Sequence, residues 1–508
     1  MPRAVSLVLV FVLASGGIGG VSAVTPAIPP DAILDHIKFL ASDELRGRGN
    51  GTEGLERAAE YIAAEFKEAG LRPGGDAGNW FQPFELTIGV TVGDANRLVI
   101  RGAKQTVTLW LGTSYLPIAA TPGDAPVSIT GLPVVFAGYG ISAPGFKYDD
   151  YERLDVTGKA VLIFSHEPQE NRADSRLNGN RPLRETTLYA KALAARTRGA
   201  RALIVVSDPS HQVDEVNYRA FLADPDPEDH AIPVLRVQRD AVAPLIEALG
   251  LERLAMMIER DLVPRSQALP GVTLDYTQEL ATNRRTLRNV VGILPGADAA
   301  RDEEAVVLGG HYDHVGLGGR FSSSPDRTGE IHNGADDNAS GVAALIEIGR
   351  AVAADRSRFP RSLVFVAFAG EERGLHGSAH YANHPAIPMS DTIAMLNLDM
   401  IGRPRRGVEV GGMASAQPLR AEVEGAGKVA GLEVRPSTIG SGRSDDASFL
   451  DRRVPALHLF TGFHDDYHRP TDDWQRIDAA GTARVATLAL ELAARLAARA
   501  DRLQFAAP

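Results

Sequence analysis

Two adjacent glutamates, Glu371 and Glu372, follow a strongly apolar run in the segment FVAFAGEERGLHGS, residues 365 to 378. On an exposed surface such a pair would have no chemical role, since the chain has 64 acidic residues and charged side chains usually lie in solvent. A functional role therefore requires ligating or proton-transferring partners from other parts of the chain.

Such partners occur directly after other apolar runs. In open α/β sheets, ligands bind beyond the carboxyl ends of the strands, so polar residues at these places are expected to converge. The candidates are His311 and Asp313 after AVVLGG, Asp336 and Asp337 before a helix near Gly341, Glu371 and Glu372, Asp399 after IAMLNL, and His468 after ALHLFTGFHDDY. Each alone has an ordinary structural explanation, and ADDNASG is typical of a helix N-cap. Four polar loops at strand ends, with a fifth before a helix, together predict one site.

The mixture of imidazole and carboxylate groups indicates a divalent metal site. Zinc suits such a donor set, with manganese or cobalt possible, whereas a calcium site would favour oxygen ligands alone. The sequence has no G-x-S-x-G elbow of a serine hydrolase and no H-E-x-x-H of a single-zinc metalloprotease.

The elements that must position these residues form an alternating pattern after residue 288. Apolar strand-like runs alternate with helical patterns such as GVAALIEIGRAVAA, and a final helix is predicted from about Ala479 to Ala500. This alternation predicts an α/β fold with a mixed, mostly parallel sheet flanked by helices. Residues 31 to 71 add two helices joined by a glycine-rich loop.

The middle of the chain has a different character. From about 86 to 285, short β-rich runs are separated by glycine, proline and aspartate, with one helix near Leu188 to Arg198. A chain of 508 residues exceeds the size of one core, so a second domain is expected. We predict an N-terminal helical part at 24–85, a β-rich insert at 86–285 and the main catalytic domain at 286–508.

The first 23 residues resemble a secretory signal peptide. They combine Arg3, an apolar stretch from Ala4 to Ala14 and the boundary Val21-Ser22-Ala23, which is typical of cleavage. We therefore expect export to the periplasm or the extracellular space, with a mature chain beginning near Val24 and no membrane anchor. The net charge of -11 argues against a nucleic-acid partner, and the absence of cysteine excludes thiolate ligands and disulfides. The oligomeric state stays open.

Five segments in order resemble the motifs of the cocatalytic di-zinc aminopeptidases of the bacterial leucyl and aminopeptidase S type. They are GGHYDHVG, NGADDNASGVAALIEIGR, RSLVFVAFAGEERGLHGS, MLNLDMIGR and FTGFHDDYHRPTDD, and the N-terminal LASDELRGRGNGTEG also fits. The middle region resembles the protease-associated domain that is inserted in many members. The resemblance covers nearly the whole predicted mature chain and implies the zinc-peptidase fold.

The resemblance implies a role for each candidate residue. His311 and Asp399 would bind one Zn²⁺, Glu372 and His468 the other, and Asp336 would bridge both, so that each ion has three protein ligands and room for water. Asp313 would orient His311, and Glu371 would act as general base on that water. The family also implies a cis peptide bond between Asp336 and Asp337.

The implied activity is hydrolysis of the N-terminal residue from peptides or proteins. A carboxypeptidase or a glutaminyl cyclase of the same fold is the alternative enzyme, and a receptor-like binding protein with an inactive site is the alternative of another class. We interpret the remaining candidate histidines as structural or exposed: His314, His332, His376, His380, His384 and His458.

Three residues near the candidate site leave questions open. His464 and Asp466 lie close to His468 in the sequence and either shape a pocket or stabilise the fold. Asp446, in RSDDASF, stands where the family more often has histidine, so the polarity of the substrate pocket is not fixed by the resemblance.

Overall fold

The computed structural model describes residues 28–120, 126–177, 179, 183–209, 228–229, 232–319, 321–437 and 442–506. The predicted signal peptide at 1–23 lies outside the described residues. The described part forms two large mixed sheets, each of nine strands, and one small two-stranded sheet.

The strands are numbered in chain order. They are β1 (Arg72–Pro73), β2 (Phe81–Val92), β3 (Arg97–Arg101), β4 (Thr106–Leu109), β5 (Tyr115–Ala120), β6 (Val127–Phe136), β7 (Ser142–Ala143), β8 (Tyr148–Asp149), β9 (Ala160–Phe164), β10 (Ala202–Val206), β11 (Glu228–Asp229), β12 (Val234–Val237), β13 (Gln267–Gln278), β14 (Leu280–Leu294), β15 (Ala305–His311), β16 (Ser362–Phe368), β17 (Thr392–Leu398), β18 (Val408–Gly411), β19 (Val434–Pro436) and β20 (Ala456–Phe460).

The α-helices of the described residues are numbered in the same way. They are α1 (Pro30–Leu40), α2 (Glu53–Glu68), α3 (Leu188–Thr197), α4 (Arg239–Ala248), α5 (Leu251–Asp261), α6 (Gly341–Ala354), α7 (His376–Asn383), α8 (Leu419–Ala430), α9 (Asp446–Leu450) and α10 (Ala479–Ala498). None of these described helices is both long and apolar enough to cross a membrane.

The first large sheet carries the predicted site. Its strand order is β1-β14-β16-β15-β17-β20-β18-β19, with β2 paired to β14. The four central strands β16, β15, β17 and β20 are parallel, whereas β14 and β18 flank them in the antiparallel direction. The predicted fold class, a mixed sheet with a parallel centre flanked by helices, is confirmed.

Both faces of this sheet are covered, which explains why its central strands are mostly apolar rather than alternating between apolar and polar residues. Side chains alternate between the faces of a strand. In β15, Val306 and Leu308 pack into a core shared with α1, α2, α6, α8 and α10, while Val307 packs on the opposite face with Tyr381 of α7 and Phe449 of α9. Such double burial is typical of parallel sheets.

The second large sheet has its own hydrophobic core. Its order is β11-β5-β12-β10-β9-β6-β13-β3-β4, and the buried residues that fill its two faces fall between Leu98 and Tyr276. The predicted boundaries at 86 and 285 lie inside β2 and β14, which belong to the first sheet. These two strands pair antiparallel from Phe81 opposite Val290 to Val92 opposite Leu280. The second sheet therefore emerges from the tip of a long hairpin.

This connection gives a prediction about the insert. Val92 and Leu280 are partners, and the Gly93 amide donates to the Glu279 carbonyl at 2.9 Å, so deletion of residues 94–278 leaves Gly93-Glu279 as a two-residue hairpin loop. Glycine at the first position of such a loop suits a type II′ turn. We expect the shortened chain to fold and to bind as much zinc as the full chain, with an altered range of substrates.

Circular dichroism, zinc analysis and a peptide panel on the two purified chains check this expectation. A shortened chain that folds but has lost most of its zinc would contradict it, because every predicted ligand lies outside the deleted span.

Candidate metal centre

The carboxyl ends of the parallel strands bring the predicted residues together. His311 ends β15, Glu371 and Glu372 follow β16, and Asp399 follows β17. Two groups of potential ligand atoms result, and within each group the atoms lie within 4.8 Å of one another. One group consists of His311, Glu371 and Asp399, and the other of His314, Asp337, Glu372 and His468.

The Asp337 carboxylate lies between the two groups. Its Oδ1 is 3.3 Å from His311 Nε2, and its Oδ2 is 3.1 Å from His468 Nε2. His311 Nε2 is also 3.4 Å from Asp399 Oδ1, and His468 Nε2 is 3.0 Å from Glu372 Oε2. The arrangement pairs His311 with Asp399 and His468 with Glu372, with one carboxylate shared.

The shared carboxylate was predicted at Asp336, and the structure places that side chain elsewhere. Asp336 Oδ1 accepts hydrogen bonds from the Gly402 amide at 2.6 Å and from Ser340 Oγ at 3.2 Å. Its Oδ2 lies 3.2 Å from His464 Nε2 and 3.7 Å from Arg403 Nε. Asp336 is therefore buried beside the centre, and its neighbour Asp337 faces both groups.

The local backbone decides which of the two aspartates faces the centre. Both amides, of Asp336 and of Asp337, donate to Asp472 Oδ2, at 3.0 and 3.1 Å. Asn338 Nδ2 donates to the Leu398 carbonyl at 2.9 Å, which ties the turn to the end of β17. The cis peptide bond joins Asp337 to Asn338, so its predicted position one residue earlier was wrong.

Backbone carbonyls fix both histidines in the orientation that a metal ligand needs. Nδ1 of His311 donates to the Asp313 carbonyl at 3.1 Å, and Nδ1 of His468 donates to the Phe321 carbonyl at 2.7 Å. With Nδ1 of each ring held by a carbonyl, Nε2 is the nitrogen that faces Asp337. A ligating histidine commonly makes such a bond through its other nitrogen.

Asp313 supports the glutamate pair through its carboxylate. The carboxylate accepts the amides of Glu371 at 3.1 Å and of Glu372 at 3.3 Å, and Asn50 Nδ2 donates to it at 2.8 Å. Its Oδ1 is 3.8 Å from His311 Nδ1, farther than its own carbonyl oxygen. The geometry thus gives Asp313 two contacts: the carbonyl holds His311, and the carboxylate holds the loop that presents both glutamates.

The two adjacent glutamates differ in their electrostatic surroundings. Burial raises the pKa of Glu371 well above its ordinary value, and the nearby Glu372 carboxylate adds to the increase against an opposing effect of His311. For Glu372, burial and Asp337 act upward, but His468 and a hydrogen bond from His314 prevail and lower the pKa to about 2. The surroundings therefore favour a proton on Glu371 and a negative charge on Glu372.

The residues present fit a pair of zinc ions. Two ligands of one tetrahedral zinc, each at about 2.0 to 2.1 Å, lie about 3.3 Å apart, and the four distances around His311 and His468 run from 3.0 to 3.4 Å. Asp399 Oδ1 is buried and has no hydrogen-bond partner among the described residues, so it is available to a cation. The donor set of two imidazoles and carboxylates is the one that zinc prefers.

Arg48 is a residue of the centre that the sequence reasoning did not single out. Its fully buried guanidinium donates to the carbonyls of Leu40, Tyr312, Asn333 and Gly334 at 2.6 to 2.9 Å. Burial lowers its pKa to about 10, still above neutrality, and the carboxylates around it oppose the decrease. The signal in the sequence was the LRGRGNG motif, whose second arginine connects the end of α1 to the loop after β15 and to the residues just before Asp337.

His464 and Asp466, which lie close to His468 in the sequence, both stabilise the surroundings of the centre. Asp466 accepts a hydrogen bond from Arg403 Nη1 at 2.6 Å and from Thr471 at 2.7 Å, and Arg403 also pairs with Asp472. His464 lies against Asp336. Arg403 thereby connects the His468 loop to the turn that carries Asp337.

A small cavity of about 90 Å³ opens onto the metal centre. Besides His311, Asp337, Glu371, Asp399 and His468, its walls include the apolar side chains of Met400, Phe460, Phe463 and Tyr467 and the polar side chains of Arg443 and His458. Asp446 does not line the cavity. It lies buried behind His458, 3.7 Å from Nδ1 of that ring, and its Oδ2 accepts the Gly442 amide at 2.8 Å, next to Arg443 of the cavity wall.

The other histidines judged structural have local partners. His332 contacts Ser322 Oγ at 2.7 Å, His376 and His384 contact carbonyls of their own helix region, and His380 stacks on Phe84. His314 is different, since it stands in the group around Glu372.

Comparisons with known proteins identify the domains. Residues 289–493 match the family described as Peptidase family M28, and residues 129–245 match the PA domain. The chain therefore carries the peptidase domain of family M28 together with a PA domain. The family resemblance, the fold class and the enzyme class of a zinc-dependent peptidase, all predicted from the sequence, are confirmed at this level.

Similar proteins carry related names. The chain is 26% identical over 492 residues to the probable lipoprotein aminopeptidase LpqL of Mycobacterium tuberculosis, covering 89% of this chain and 81% of that protein. It is 31% identical over 188 residues to leupeptin-inactivating enzyme 1 of Streptomyces exfoliatus, where it covers 36% of this chain and only 38% of the relative's length. Shorter matches are to fungal proteins named probable zinc metalloprotease.

A solved structure extends the likeness to both domains. The aminopeptidase from Aneurinibacillus sp. strain AM-1 aligns over 95% of this chain and 97% of its own, with a TM-score of 0.57 and 20% sequence identity. At this identity the likeness concerns the fold, which the two proteins share over nearly their full lengths.

The position of the shared carboxylate gives a prediction. Asp337→Asn removes the negative charge between both groups, so the affinity for zinc should fall at both sites by more than the roughly 10- to 100-fold typical of losing an outer hydrogen-bond partner. Asp336→Asn is the matched control, because its amide oxygen can still accept the Gly402 amide and its side chain faces neither group. Zinc content and competition with a chelator measure both variants. The reverse pattern, zinc lost from Asp336→Asn and kept in Asp337→Asn, would restore the position predicted from the sequence.

Proposed function

We propose that this protein is an exported metallo-aminopeptidase that removes N-terminal residues from peptides with a pair of zinc ions. The observation that carries the proposal is the Asp337 carboxylate, whose two oxygens face His311 and His468 at 3.3 and 3.1 Å. One ion would be held by His311, Asp399 and Asp337, and the other by His468, Glu372 and Asp337. The names of the relatives support both the metal and the activity.

When bound, the ions supply Lewis-acid polarisation of the scissile carbonyl and lower the pKa of the attacking water. The chain supplies the proton transfer. Glu371 lines the cavity, with Oε2 4.0 Å from His311 Nε2, and it has no place in the set of three ligands on either side. It accepts the proton of the water and then delivers it to the leaving amine.

The cavity supports action at a chain end. The cavity is small, about 90 Å³, and four largely apolar residues form much of its wall. The α-amino group of the substrate would lie among the carboxylates around the metals, which places the first peptide bond at Glu371. The substrates proposed are therefore peptides or proteins with a free N-terminus and an apolar first residue.

The opposite roles of the two glutamates give a prediction. Glu371→Gln keeps the shape and removes the proton acceptor, so both zinc ions should stay bound while kcat falls by roughly 10² to 10⁴-fold, the usual contribution of general acid-base catalysis. Glu372→Gln removes an anionic ligand, so one ion should bind more weakly and part of the activity should return when zinc is in excess.

Metal analysis beside kinetics on the two variants separates these effects. Loss of zinc from Glu371→Gln with retention in Glu372→Gln would mean that the two roles are interchanged. Full activity in both variants would rule out a peptidase reaction at this centre.

The exopeptidase reaction gives a further prediction. Aminoacyl-p-nitroanilides with a free α-amine should be hydrolysed by the zinc-loaded protein, and the N-acetylated forms of the same compounds should not, since acetylation removes the charge that the carboxylates would bind. Equal hydrolysis of free and acetylated substrates would argue for an endopeptidase or a carboxypeptidase.

A further inference from the structure

His314 makes a contact with the metal centre that its expected structural role does not explain. The ring is fully buried, and Nδ1 lies 2.7 Å from Glu372 Oε1. Oε2 of the same carboxylate faces His468 Nε2 at 3.0 Å. One oxygen of Glu372 thus contacts His314, which is not among the proposed zinc ligands. The other oxygen contacts His468, which is.

The surroundings fix the His314 ring in this position. Its backbone amide donates to the Arg48 carbonyl at 3.3 Å, and the ring meets the His468 ring edge to face at a centroid distance of 5.4 Å. A side chain at Gly334 would approach the ring to 2.5 Å, so glycine at this position leaves the ring its place. The imidazole is therefore constrained on both sides before any ion binds.

The distances distinguish a hydrogen bond from direct ligation. Ligands of one tetrahedral zinc lie about 3.3 Å apart, whereas His314 Nδ1 is 2.7 Å from Glu372 Oε1 and 3.9 Å from Asp337 Oδ2. The first distance is that of a charge-assisted hydrogen bond, and the second is longer than tetrahedral coordination of one zinc gives. Nε2 of His314 is buried and has no hydrogen-bond partner among the described residues, as suits a ring whose proton is on Nδ1.

We propose that His314 is a positioning residue for the zinc ion between His468 and Glu372: its Nδ1 donates to Glu372 Oε1 and thereby directs Oε2 at that ion. The inference rests on the proposed metal centre and adds a specific asymmetry to it. One ion has a ligand, Glu372, that is held by a histidine outside the ligand set. Among the described contacts of Asp399, the corresponding ligand of the other ion, there is no histidine from outside the ligand set.

Two substitutions at His314 test the hydrogen bond separately from the shape of the ring. His314→Leu removes the donor. His314→Asn keeps one, because the Asn Nδ2 atom stands at the same distance from the backbone as the His Nδ1 atom. Zinc affinities are measured by competition with a chelator on the full-length protein, together with zinc stoichiometry and thermal unfolding of the metal-free forms.

We expect His314→Leu to weaken one of the two zinc ions by roughly 10- to 100-fold, the usual effect of losing an outer-shell partner, with the other ion unaffected. His314→Asn should return the affinity toward that of the unchanged chain. His36→Leu is the matched control. It breaks a buried histidine–glutamate pair of 3.0 Å, His36 to Glu347, neither of which belongs to the two groups of potential ligands, so it should affect unfolding without changing zinc affinity.

If the leucine variant does not fold, His314→Gln provides the same test. The amide nitrogen of glutamine stands at the position of His Nε2 rather than Nδ1, so it should not make the bond to Glu372. This variant should therefore bind zinc as weakly as a chain without the bond. The proposal is overturned if the variants without the donor bind both ions as tightly as the unchanged chain. It is also overturned if His314→Asn is as weak as His314→Gln, because the ring would then act as a ligand or as packing. An unchanged chain that fails to bind two zinc ions would instead overturn the proposed function itself.

Discussion

The structure depends on how it accommodates buried carboxylates at the end of one parallel sheet. Asp313, Asp337, Glu371 and Glu372 lie within one region that water hardly reaches, and a carboxylate removed from water is costly unless a cation or several donors compensate it. Some of these groups receive backbone amides. Those that face the cavity do not, and their remaining negative charge is what makes the site a candidate metal centre.

The charged side chains around the centre form hydrogen bonds with backbone groups as well as with other side chains. Asp472 accepts two consecutive amides of the turn before α6, Asp313 accepts the two amides of the glutamate loop, and the Arg48 guanidinium donates to four carbonyls. Hydrogen bonds to charged groups are worth about 1.5 to 3 kcal/mol each, more than neutral ones. The ligands can therefore be held in place before metal binds, and such preorganisation favours tight binding and efficient catalysis.

The bounds of the insert show what a local sequence pattern does not reveal. The change of composition near residues 86 and 285 predicted a separate β-rich module, and a second sheet with its own core is present. The boundaries fell inside strands, because β2 continues to Val92 and β14 already begins at Leu280, with no break in their β-forming sequence at residues 86 and 285. Strand propensity depends on the neighbours of a strand, which a single sequence does not show.

The sequence by itself determined the parallel sheet, the five loops at its edge and the type of donor atoms, because apolar periodicity and strand-end position follow from residue order alone. The tertiary structure decided between Asp336 and Asp337. The two residues have identical side chains, and only the backbone path fixed by Asp472 and Asn338 directs one carboxylate to the candidate metal centre and the other toward Arg403. It also decided the place of His314, whose contact with Glu372 joins residues 58 positions apart and therefore leaves no trace in local spacing.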